Sequence, residues 1–231
     1  MLKIAGLVSF TTIDFPGCLA AVVFLKGCPL RCPFCHNPDL QVFEGEGLHT
    51  WDEIVDFLQK RTKRLDGVVF SGGEPLMQTG IVDAVRQVKK MGYQVAVHTS
   101  GIYDERLAEI LPDLSWVGLD IKSAWNTYHK LSGLPNEKLV SHVQKSLNHL
   151  LTSGIEFECR TTCDPRYLKK QDLLNIVRDL KEIGVQNYAL QKYRSFDGEQ
   201  NPPSDEAINS FFMDADLMAQ LKSFYPNLIC R

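Results

Sequence analysis

The chain has 231 residues, 44% of them hydrophobic and 23% charged, with a net charge of −3. That composition fits one sizeable globular core and excludes a broad basic footprint for nucleic acid. No apolar run is long enough to span a bilayer, and the N-terminus lacks a long apolar region with a small-residue cleavage site, so the expected location is the cytoplasm. The seven cysteines are odd in number and three are clustered, which favours metal or redox chemistry over a disulfide framework.

Residues 3–17 read as a short irregular lead-in, a hairpin whose turn is Asp14-Phe15-Pro16-Gly17. Leu19 to Leu25 is a continuous apolar strand. It runs into Cys28-Pro29-Leu30-Arg31-Cys32-Pro33-Phe34-Cys35, three thiols at the spacing C-x3-C-x2-C. Thiolates select iron–sulfur clusters, zinc or Cu(I). A [4Fe–4S] cluster usually takes four Cys, so three ligands would leave one iron open. A structural zinc wants four ligands, and His36, adjoining Cys35, is badly placed to be the fourth.

Residues 39–49 are loop. Thr50 followed by Glu53 is a capping-box pattern, and Trp51, Ile54, Val55 and Leu58 mark one helix face. Strands at 67–70, 93–97, 116–119, 155–159 and 185–190 then alternate with helices lined by Ile81/Val82/Val85/Val88, Leu107/Ile110/Leu111, Leu139/Val143/Leu147/Leu150 and Leu173/Leu174/Ile176/Val177/Leu180. About six strands at this spacing predict a parallel sheet covered by helices, a partial (β/α)6 TIM-like barrel with an N-terminal extension. The rhythm stops after Ser195. Asp197 to Pro203 reads as loop, and Ser204 caps one helix through about Phe224, a helical tail. The expected organisation is one domain over 1–231, its core at about 18–195 and its tail at 196–231.

In such a fold, ligands lie at the C-terminal strand ends. The predicted strands end in the cysteine loop, Ser71-Gly72-Gly73-Glu74-Pro75, His98-Thr99-Ser100-Gly101, Asp120-Ile121-Lys122, Arg160-Thr161-Thr162 and Gln191-Lys192. Each has a plain alternative. The Gly pair could be only a tight turn, although exposed Gly backbone beside a carboxylate suits an amine. Asp120 and Lys122 share a strand face and could be a satisfied ion pair. Arg160 could be solvated or could clamp a carboxylate. Phe34 could be core or could stack on a planar ring. Cys159, Cys163, Cys18 and Cys230 read as buried or inert thiols, and Lys89, Lys90, Lys169 and Lys170 as solvated helix surface.

Cys28-x3-Cys32-x-Phe34-Cys35 and Gly72-Gly73-Glu74-Pro75 resemble the motifs of the radical S-adenosylmethionine (SAM) superfamily. The cluster loop Cys32 to Asp39, with His98 to Gly101, Asp120 to Lys122 and Arg160 to Thr162, is similar to that of glycyl-radical-enzyme activating proteins. Phe10-Thr11-Thr12-Ile13-Asp14-Phe15-Pro16-Gly17, Arg160-Thr161-Thr162 and Leu190-Gln191 look most like activating proteins of anaerobic ribonucleoside-triphosphate reductase. His98 and Ser100 stand where pyruvate formate-lyase activases carry Asp and Asn.

The resemblance implies that Cys28, Cys32 and Cys35 hold three irons of a [4Fe–4S] cluster and that SAM sits on the fourth. Gly72, Gly73 and Glu74 would bind the methionyl amine and Arg160 the carboxylate. Asp120, Lys122, Thr99 and Ser100 would face the ribose or methionyl end, and Phe34 the adenine. A flavodoxin- or ferredoxin-like donor would reduce the cluster, and a 5′-deoxyadenosyl radical would take hydrogen from a glycine of the partner enzyme. The main alternative is a radical SAM enzyme acting on a small molecule, of the 7-carboxy-7-deazaguanine synthase type. A peptide maturase would want a Cys-rich tail, where only Cys230 lies, and a non-catalytic cluster scaffold would make no deoxyadenosine.

Overall fold

A computed structural model describes residues 2–128, 136–196 and 198–231. Met1 and Asp197, which figure in the N-terminal and loop readings above, lie outside the described residues. The strands are β1 (Ile4–Thr11), β2 (Ala20–Leu25), β3 (Gly67–Gly72), β4 (Gln94–Thr99), β5 (Trp116–Asp120), β6 (Glu156–Cys163), β7 (Tyr188–Lys192) and β8 (Ile229–Cys230). The helices are α1 (Trp51–Arg61), α2 (Ile81–Lys90), α3 (Asp104–Ile110), α4 (Asn136–Ser153), α5 (Lys170–Ile183), α6 (Asp205–Met213) and α7 (Ala215–Phe224). Strand order follows chain order from β1 to β8. This is the α/β alternation expected from the apolar rhythm, with a strand added at each end.

Contacts divide the chain into two compact units. The first comprises Met1–Leu30, Asn37–Gly118 and His142–Phe157. Here β1 pairs antiparallel with β2, while β2–β3 and β3–β4 are parallel. Residues of β2 such as Ala21 and Val23, and Val68 to Phe70 of β3, are fully buried, as a parallel sheet covered on both faces requires. Thr50 caps α1 reciprocally with Glu53, fixing its start, and Ile54 and Leu58 bury its inner face. Ile81, Val82, Val85 and Val88 do the same for α2, which packs on α3. The lead-in forms a hairpin with β2, as expected, but its first strand is regular enough to pair over most of its length apart from two register shifts.

The second unit comprises Arg31–His36, Leu119–Ser141 and Glu158–Arg231. β6–β7 and β7–β8 are parallel. Leu173, Ile176, Val177 and Leu180 bury one face of α5, and Gly184 ends it in the left-handed conformation (φ 102°) while its N–H bonds the carbonyls of Leu180 and Lys181. Two sequence expectations need correction. The strand read as 155–159 continues to Cys163, so Arg160, Thr161 and Thr162 are strand residues and not a strand end. The tail is two helices, because Asp214 leaves helical geometry (ψ 100°) and its side chain caps α7 by accepting from Leu217 N at 2.9 Å. Cys230 is exposed on β8 and Cys18 is half-buried, whereas Cys159 and Cys163 are buried as expected.

Candidate active site

In the first unit, the ends of β2, β3 and β4 are stitched together through backbone and one carboxylate. Gly73 N donates to Leu25 O at 2.9 Å, Glu74 N to Gly27 O at 2.8 Å and Gly27 N to Leu40 O at 2.7 Å, while Cys28 N donates to Gln41 O at 3.2 Å. These approaches explain the glycine pair. Gly72 has φ 122°, and a Cβ there would lie 2.3 Å from Leu25 backbone atoms; a Cβ on Gly73 would lie 2.3 Å from Gly27 O. No larger residue fits without parting β2 from β3.

Glu74 is 1% exposed and its carboxylate is fully engaged. Oε1 accepts from Thr99 Oγ1 at 2.7 Å and from Leu76 N at 3.1 Å; Oε2 accepts from Ser100 N at 2.8 Å and Ser100 Oγ at 2.5 Å. Burial pushes this carboxyl up, against the pull of Ser100 and Thr99. Glu74 therefore holds the β4 end in place. Thr99 and Ser100, also expected to face a ligand, are themselves buried against it. His98 takes a different path: its Nε2 contacts Asp14 O at 2.7 Å, and its ring meets Trp116 edge-on at 5.7 Å.

In the second unit, Asp120 at the end of β5 joins both expected cations. Lys122 Nζ donates to Oδ2 at 2.8 Å and Arg160 Nε donates to Oδ1 at 2.6 Å. Burial would push the Asp120 carboxyl up, but Lys122 and Arg160 outweigh it and hold it far below the usual carboxylate range. Burial likewise lowers Lys122, and Asp120 more than restores its charge. The plain ion-pair reading of Asp120 and Lys122 thus holds, and Arg160, read as a clamp for a ligand's carboxylate, gives its Nε–H to a carboxylate of the chain itself. Cys32 lies near this group: burial pushes its thiol up and the Lys122 ammonium pulls it part of the way back. Cys35 N donates to Cys32 O at 3.2 Å, closing a turn between them. Phe34, expected beside adenine, is 6% exposed and packs on Tyr193 and Ile208.

Sequence reasoning missed Tyr128. Its Oη accepts from Lys122 N at 3.1 Å and donates to Asp120 O at 3.3 Å, fixing the strand end that bears the triad. An aromatic eight residues downstream carries no signal for this. Thr161, part of a matched motif, points into the core: it donates to Ile121 O at 2.8 Å and accepts from Tyr188 Oη at 2.8 Å.

Asp120 neutralises two cations, and removing it leaves both facing each other in a partly desolvated place. Asp120→Ala should cost about 3 kcal/mol in urea unfolding, the low end for a broken buried pair because its carboxylate keeps 28% of its surface. Asp120→Asn should cost less. An unchanged midpoint for Asp120→Ala would show the triad to be solvated.

Among the described residues no three His, Cys, Asp or Glu side chains are gathered as a metal site. The donor chemistry nevertheless suits an iron–sulfur group: Cys28, Cys32 and Cys35 are thiols outside any disulfide, all half-buried. The sequence profile described as the radical SAM superfamily matches residues 22–185. The chain belongs to the radical SAM superfamily. It is 37% identical over 190 residues, 78% of each chain, to a pyruvate formate-lyase-activating enzyme of Clostridium pasteurianum. It is 29% identical over 202 residues to a Methanocaldococcus jannaschii protein provisionally assigned as a glycyl-radical enzyme activating enzyme, covering 84% of this chain and 81% of that one. It is thus a radical SAM enzyme of the glycyl-radical-enzyme activating class, which works with a [4Fe–4S] cluster and SAM. The solved structure of Streptococcus suis SuiB bound to S-adenosylmethionine shares the fold, with TM-score 0.66 and 15% identity over 89% of this chain; the radical SAM chain spans about half (48%) of SuiB. These likenesses show the radical SAM α/β fold that the alternation predicts. No helix among the described residues is long and apolar enough to cross a membrane.

Proposed function

We propose that this enzyme installs the glycyl radical of an anaerobic ribonucleoside-triphosphate reductase, with Cys28, Cys32 and Cys35 as the cluster ligands and a flavodoxin- or ferredoxin-like donor as the source of electrons. The observation that carries the reading is the His98 contact with Asp14 O. His98 is where the sequence departs from pyruvate formate-lyase activases. Asp14 lies in the Phe10–Gly17 segment that looks like the ribonucleotide reductase type. The two features are in contact, which supports reading them together as the ribonucleotide reductase type.

Cluster and SAM supply the one-electron chemistry that removes a hydrogen atom from the partner's glycine. The chain binds and orients. The three thiolates hold iron, the Gly72-Gly73 backbone allows close approach, and Glu74 sets Thr99 and Ser100. Asp120, Lys122 and Arg160 present fixed charges. No side-chain general base is needed, since no proton is removed. The homologues act on glycyl radical enzymes, which speaks against the small-molecule alternative. The medium implied by the partner and the donor is the cytoplasm.

The test is to mix reconstituted enzyme, SAM and reductant with anaerobic ribonucleotide reductase or with pyruvate formate-lyase and record glycyl-radical EPR. A doublet is expected with the reductase. A doublet with pyruvate formate-lyase alone would overturn the assignment of partner while leaving the enzyme class intact.

A further inference from the structure

The tail beyond the barrel has no assigned role, yet it meets the cysteine loop. Within the second unit, Phe34 packs on Tyr193, which follows β7, and on Ile208 of α6, with Cys32 against the same cluster. Tyr167 meets Phe34 at 6.5 Å between ring centroids, and His36 Nδ1 contacts Arg194 O at 3.3 Å. Behind these aromatics stands one cation. The Arg166 guanidinium is 4.9 Å from the Tyr193 ring centre and 5.4 Å from that of Tyr167. It binds Asp164 through two nitrogens, Nε to Oδ1 at 3.0 Å and Nη2 to Oδ2 at 2.6 Å, and reaches Glu199 at 2.8 Å and Asn201 O at 3.4 Å. Asp164 is fully buried and the Glu199 side chain is 7% exposed. Charge-assisted, two-pronged bonds of this kind are geometrically specific.

We infer that Arg166, held by Asp164 and Glu199, is a positioning residue for the cluster: it locks Tyr193 and Tyr167, and through them Phe34, so that Cys32 and Cys35 are presented at fixed spacing. Three chain segments far apart in sequence meet there: the cysteine loop, the end of β6 and the segment after β7. Only Arg offers a planar fork for a carboxylate together with a flat face for two rings, and Lys would supply the charge without either. Within the tail, Glu199 and Ile208 are then part of the metal site's support, as outer contacts commonly are. The inference rests on Cys32 and Cys35 being cluster ligands.

The test uses the full chain, reconstituted anaerobically, with iron loss to a colorimetric chelator followed for wild type, Arg166→Ala, Arg166→Lys and Glu199→Gln. Leu221→Ala, a buried position in α7, serves as a control for general destabilisation. Arg166→Ala should release iron roughly tenfold faster, the low end for loss of an outer contact of a metal site. Arg166→Lys should fall nearer to Ala than to wild type, and Glu199→Gln should be intermediate. The low-temperature EPR of the reduced cluster should broaden in the Arg166 variants. Leu221→Ala should lower the unfolding midpoint yet keep the wild-type rate of iron loss. If Arg166→Ala and Glu199→Gln both release iron at the wild-type rate, or if Leu221→Ala releases it as fast as Arg166→Ala, the brace is refuted. A wild type that assembles no cluster at all would instead refute the ligand reading.

Discussion

Cys32→Ala should abolish the visible absorbance of the reconstituted cluster and bring formation of 5′-deoxyadenosine from SAM and dithionite below detection. The loss of one of only three thiolates leaves two, too few for a cluster that usually takes four. The apoprotein should remain folded. Cys32 sits at the edge of the Phe34, Tyr193 and Ile208 cluster, so truncation should cost only about 1 kcal/mol, the common size for a small deletion. Thermal unfolding of the apoprotein separates a lost ligand from a lost fold. Cys159→Ala and Cys163→Ala are the controls: both thiols are fully buried on β6 and are pushed up by that burial, so they are poor thiolates. Both variants should keep the cluster. If Cys32→Ala kept its absorbance and its deoxyadenosine, the ligand assignment would be wrong.

The features legible in the sequence are those set within one turn or one strand. The Thr50–Glu53 capping box and the apolar spacing of Ile81 to Val88 are local, and both elements form as read. The end of β6 was illegible for the opposite reason. Arg160-Thr161-Thr162 reads as a polar strand end, but its first two side chains find distant partners: Arg160 meets Asp120, forty positions away, and Thr161 meets Tyr188 and Ile121. With those partners, a run of Thr suits a strand. β8 has two residues, too few to show a period, and is held by pairing with β7 and by Arg231, which bonds the Glu158 carboxylate. The break at Asp214 is a local cap that apolar periodicity cannot register. At the site, residue types were legible and pairings were not. Of three groups assigned to a ligand, Thr99 and Ser100 are also partners of the third, Glu74.

That pairing gives Glu74 the second large expected effect. Glu74→Ala would strand four donors around a fully enclosed carboxylate position: Leu76 N, Thr99 Oγ1, Ser100 N and Ser100 Oγ. Each unsatisfied buried group costs about 1–3 kcal/mol, and hydroxyls can turn elsewhere, so a loss of about 3 kcal/mol of stability is expected. Glu74→Gln is the sharper experiment. Its amide oxygen can serve one side of the site, either the Thr99 pair or the Ser100 pair, and its NH2 must face a backbone N–H on the other. About 1–2 kcal/mol should be lost with the fold and the cluster intact. SAM affinity should fall roughly tenfold in Glu74→Gln, because Thr99 and Ser100 are displaced from the β4 end; equilibrium binding to the reconstituted enzyme reads this out. Coupling decides whether Glu74 acts through them. If it does, Ser100→Ala should cost less SAM affinity in the Glu74→Gln background than in wild type, since the contact is already lost. Strict additivity would mean that Glu74 and Ser100 influence SAM separately, and unchanged affinity in Glu74→Gln would confine Glu74 to holding β3 and β4 together.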